Sequence, residues 1–89
     1  MKVAFVSFLA FKSAGGLWKC TPATAKTPGV ATLPGLSNKA LKTIIRNAKK
    51  GADLAVVWLH WGTERKTLPD IFQIRLGRMF IEAGADAVL

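Results

Sequence analysis

The segment Gly51-Ala52-Asp53-Leu54-Ala55-Val56 returns 33 residues later as Gly84-Ala85-Asp86-Ala87-Val88-Leu89. Each copy follows an amphipathic stretch and opens an apolar run, so each reads as a helix end, a tight turn and a buried strand. This echo constrains the fold more than any composition figure. Two units are too few for a solenoid. Successive helix–strand units instead feed neighbouring parallel strands through right-handed crossovers. The fold class that follows is α/β, in the order strand, loop, helix, strand, helix, strand, with parallel strands.

The elements can be placed from local pattern. Residues 3–11 form a first strand, because Val3-Ala4-Phe5-Val6-Ser7-Phe8-Leu9 is rich in β-branched and aromatic residues. Lys2 ahead of that run, and Ala23-Thr24-Ala25 after it, have the look of a signal peptide and its cleavage site. Lys12 and Lys19 between them argue for the strand. Residues 12–36 form a long connection punctuated by Gly15-Gly16, Pro22, Pro28-Gly29 and Pro34-Gly35. Trp18 and Cys20 lie in it; Cys20 has no histidine nearby and reads as an incidental thiol.

A helix is expected over 38–50. Ser37 is its N-cap, Leu41, Ile44, Ile45 and Ala48 its apolar stripe, and Gly51 its left-handed exit. Leu54–Leu59 lacks polar alternation and reads as a strand buried on both faces, with Trp58 in the sheet–helix core. A second helix is expected over 69–83, with Pro69 in its first position, Asp70 at the positive end of the dipole, and Phe72, Leu76, Met79, Phe80 and Ala83 buried.

Composition narrows the class. Of 89 residues, 51% are apolar and 20% charged, which excludes a typical disordered chain. One cysteine excludes a disulfide framework, and one histidine excludes a His-rich metal cage built from this chain alone. No apolar run reaches the roughly 18–20 residues that cross a bilayer. The net charge of +8 is unevenly spread. Residues 1–52 hold nine basic side chains and no acidic one; residues 53–89 hold four basic and five acidic. A field of that sign gathers anionic partners, or is simply a solvated basic face.

The chemistry-bearing motif is His60-Trp61-Gly62, directly after the apolar run. Parallel α/β sheets bind ligands at the carboxyl ends of their strands. An imidazole there suits metal ligation or proton transfer, and the glycine allows close backbone approach. Glu64 could orient the imidazole or touch substrate, and Arg65 and Lys66 add cationic donors. Trp61 would line the mouth of such a site. Asp53 and Asp86 open strands at the opposite end of the sheet and read as turn residues.

Leu54 through Glu64, then Pro69 with Gln73, then Ile81-Glu82-Ala83-Gly84-Ala85-Asp86-Ala87-Val88-Leu89, resembles the CapA-type capsule proteins. These are poly-γ-glutamate synthesis proteins with a calcineurin-like metallophosphoesterase fold. The match is clearest over residues 52–89, while the upstream strand and helix follow the family's order. The resemblance implies one partial domain over residues 1–89, truncated at both ends, from a calcineurin-like layered sandwich. It implies a dimetal centre of divalent ions in the complete domain, with His60 as one ligand. Trp61, Gly62, Glu64 and Arg65 would stand behind the ligand or against substrate.

Other blocks of the family are missing: Asp-x-His, Asn-His and the His-bearing block after the Gly-Ala-Asp strand. Arg65 occupies a position where the family often has tyrosine. The chain alone is therefore expected to hold no metal tightly and to be inactive, its parent being a metal-dependent hydrolase or a polymer-handling protein. Its expected partners are the rest of the parent domain and an anionic polymer, polyglutamate, rather than nucleic acid. Relatives are often membrane-attached or exported. The competing reading is a non-catalytic basic module that binds an anionic polymer or nucleic acid.

Overall fold

In the computed structural model, which describes residues 1–10, 23–33 and 37–89, three parallel strands lie side by side in chain order. They are β1 (Val3–Leu9), β2 (Leu54–His60) and β3 (Ala87–Val88). Two twelve-residue helices, α1 (Asn38–Lys49) and α2 (Ile71–Glu82), connect them. The α/β class and the parallel order expected from the Gly-Ala-Asp echo are both present. Phe11, Gly15-Gly16, Trp18, Cys20, Pro22 and Pro34-Gly35 lie outside the described residues.

Register follows the echo. Val3 sits opposite Leu54, and Leu9 opposite His60. Val56 and Val57 then pair with Ala87 and Val88. The two aspartates start their strands in the same way. Asp53 donates its N–H to the Lys2 carbonyl (2.8 Å), and its carboxylate accepts the Lys2 N–H (2.6 Å). Asp86 donates to the Ala55 carbonyl (2.9 Å) and accepts the Ala55 N–H (2.8 Å). A parallel ladder does not close such a reciprocal pair with backbone atoms alone, since its bonds slant to residues on either side of the partner. The carboxylate supplies the missing acceptor. The repeated aspartate is thus a strand-start clasp, in keeping with a turn role.

Strands in sequential order, joined by crossovers of one hand, carry both helices on one face of the sheet. The core forms there: Leu41 and Ile45 of α1, Leu76 and Phe80 of α2, and Ala55, Val57 and Leu59 of β2 are all buried. Phe8 stacks on Phe80 with ring centroids 5.9 Å apart. This geometry corrects the reading of β2 as buried on both faces. Its residues alternate, and Trp58 is 55% exposed on the face without helices, together with Phe5 at 64%. The apolar run in β2 reflects an inward row and a second, uncovered row, so Trp58 does not belong to the sheet–helix core.

The helix ends need two adjustments, and the buried stripe of α2 one. Ser37 caps α1 as expected, its hydroxyl accepting the Ala40 N–H at 3.2 Å. Gly51, however, is not left-handed: the chain leaves α1 through Lys50 in the right-handed region, with Ala52 N–H bonded to the Lys49 carbonyl. At the other copy, Gly84 has φ +107° and closes a Schellman turn, with Ala85 N–H on the Phe80 carbonyl and Gly84 N–H on the Ile81 carbonyl. Pro69 lies one residue outside the cap rather than in the first turn, because Asp70 is the N-cap of α2. Phe72, expected in the buried stripe, is 43% exposed.

Candidate functional site

His60 is the last residue of β2, the central strand, with β1 on one side and β3 on the other. Its carbonyl accepts the Ala10 N–H at 3.0 Å, tying the exits of β1 and β2 together. Leu59, the preceding residue, is buried toward the helices, so alternation puts the exposed His60 on the open face in the row of Val56 and Trp58. The expected placement, an imidazole at the carboxyl end of a parallel strand, is what the fold delivers.

The residues after it turn the other way. Trp61 is half-buried and packs against the core on the helix side. A Cβ at Gly77 would sit in ordinary contact with the Trp61 ring, at 3.5 Å, so the indole lies against this turn of α2. Trp61 and Gln73 line a shallow cleft along α2 with Ile74, Arg78, Ile81 and Val88. His60 and Trp61 thus serve opposite sides of the strand end.

Gly62 adopts φ +92°, a region that favours glycine. A Cβ there would lie 2.7 Å from Nε2 of Gln73. The close approach foreseen at this glycine exists, and the group that approaches is the chain's own amide. Gln73 is held in turn. Its Oε1 accepts the Asp70 N–H at 2.9 Å, and the Asp70 carboxylate accepts the Gln73 N–H at 2.8 Å. Thr63 Oγ1 donates to the same carboxylate at 3.3 Å. This capping box therefore also anchors the turn that leaves β2. The Asp70-x-x-Gln73 spacing was the available signal for it.

Glu64 and Arg65 sit exposed at the tip of the loop, where Lys66 N–H bonds back to the Thr63 carbonyl at 3.2 Å. Arg65 has φ +61°. At the opposite end of the sheet, Asp86 bonds Lys49 at 2.9 Å. The Ala55 N–H, foremost, and then the Lys49 ammonium hold the Asp86 carboxyl below the usual carboxylate range.

A catalytic metal centre takes about three protein ligands. Among the described residues, no group of three or more His, Cys, Asp or Glu side chains is close enough to hold one ion. The described residues therefore do not make up a complete metal centre by themselves. None of the described helices is long and apolar enough to cross a membrane.

A helix-backed parallel sheet with a histidine ending its central strand is the arrangement of a layered α/β fold. The chain matches the family of bacterial capsule synthesis proteins, PGA_cap, over residues 1–89, and belongs to that family. It is 37% identical over 84 residues to the PGA biosynthesis protein CapA of Bacillus subtilis strain 168. That alignment takes in 94% of this chain and 21% of CapA, so the chain spans about a fifth of that relative's length. No solved structure matches it.

Proposed function

We propose that the protein works in the synthesis or handling of capsular poly-γ-glutamate, and that His60 contributes one ligand to a divalent-metal centre completed by groups outside the described residues. The observation that carries this reading is His60 at the carboxyl end of the central parallel strand, in a chain matched to the capsule family along its whole length. The calcineurin-like architecture belongs to the same proposal. A parent that hydrolyses its substrate and one that only moves or holds polymer both accommodate it, and the 89-residue chain alone is inactive in either case. Gly62 and the Asp70–Gln73 pair set the turn behind His60, while Glu64 and Arg65, both exposed, are the side chains free to reach substrate. Trp61 braces the turn against α2.

A chimera tests this: Bacillus subtilis CapA with its matching segment replaced by this chain, assayed for bound metal. Retention of metal by the chimera, with substantial loss on His60→Ala at unchanged circular dichroism, is expected. Equal metal content in the His60→Ala chimera removes His60 from the centre.

A further inference from the structure

We propose that the outer face of α1 is a docking track for a linear polycarboxylate. Lys39, Lys42, Arg46 and Lys50 are all exposed and fall within about 80° of arc on the helix, spread over roughly 17 Å of its length. The helix and its C-cap contain no acidic residue. Among the described residues the salt bridge is Lys49–Asp86, off to one side of this row, and no described carboxylate pairs with these four cations. The chain's other nine basic residues lie outside this row, and nowhere else do four line up on one regular element.

The kind of anion follows from what surrounds the row. A membrane-surface helix inserts its apolar face, yet here that face is committed to the core: Leu41 is 2% and Ile45 0% exposed. Single-stranded nucleic acid is gripped by aromatic platforms between the cations, and α1 has no aromatic residue. Three of the four cations are lysines, flexible point charges that follow irregularly spaced carboxylates, whereas planar bidentate recognition would call for arginine. Successive cations rise about 4.5–6 Å along the axis. An extended chain with a carboxylate on every residue can meet each of them without bending. The choice of a polycarboxylate rests on the capsule reading above; the cationic track itself does not.

The test uses the 89-residue chain and fluorescently labelled poly-γ-glutamate, followed by anisotropy with EDTA present, so that failure of the metal reading cannot affect it. Two variants carry the same charge change: Lys42→Glu with Arg46→Glu on α1, and Arg75→Glu with Arg78→Glu on α2. The α1 variant is expected to bind at least tenfold more weakly and the α2 variant within about threefold of the parent. Wild-type affinity is expected to fall on the order of 10–100-fold between about 50 and 200 mM salt, as for roughly four charge contacts. Should the α1 variant not fold, Lys42→Gln with Arg46→Gln replaces it. Equal weakening by both variants, salt-independent binding, or no binding overturns the proposal. So does tighter binding of a single-stranded oligonucleotide or of phosphatidylglycerol vesicles than of polyglutamate.

Discussion

Asp86 shows how much one side chain can coordinate. Its carboxylate takes the Ala55 N–H of β2 and the Lys49 ammonium of α1, so strand start and helix end meet on one group. Because the folded carboxyl titrates below its ordinary value of 3.8, its contribution to stability is present above that value and is lost as pH falls through the lower, folded one. Acid unfolding followed by circular dichroism checks this. Asp86→Asn is expected to be less stable than wild type near neutral pH, and the difference is expected to shrink steadily below about pH 4. A constant difference across that range would mean that the charge of Asp86 contributes nothing. Asp53 makes the matching bonds to Lys2 without a lysine partner, so Asp53→Asn isolates the clasp from the ion pair.

At the scale of elements, the turn from β2 into α2 is over-determined. Gly62→Ala meets both a left-handed backbone and the Gln73 amide, and is expected to cost about 1–3 kcal/mol. In a Gln73→Ala background the steric part disappears and only the backbone part remains, so thermal melts of the double-mutant cycle should show a smaller effect of Gly62→Ala. Additive costs would show that the Gln73 contact carries no energy. The elements themselves were legible in the sequence, because amphipathic period, Ser37 and the two Gly-Ala-Asp turns are local signals. The one-sided burial of β2 was not. An unbroken apolar run specifies that both rows of a strand are apolar, whereas which row a helix covers depends on the crossovers. The position of His60 was legible for the same local reason. Its separation from Trp61 was not, since that depends on the indole packing against α2, where Gly77, sixteen positions further on, lies beside it.

For the whole molecule, the decisive asymmetry is that both helices share one face. The other presents Val3, Phe5 and Trp58 to solvent, 38%, 64% and 55% exposed. Parallel sheets are ordinarily covered on both sides. A surface of this kind binds apolar dyes and partners. Replacing Phe5 and Trp58 together by lysine is expected to lower anilinonaphthalene sulfonate fluorescence severalfold while leaving the melting temperature within a few degrees. A collapse of the melting temperature would show that these side chains are needed for the fold itself. The two aspartate clasps bear on assembly in another way. β2 and β3 each carry their own alignment mark, written in the three residues before them. A strand that docked one position early would bring its carboxylate to the wrong amide and turn its inward row out to water. The register of β2 on β1 and of β3 on β2 is thus tied to the unit that carries the later strand of each pair.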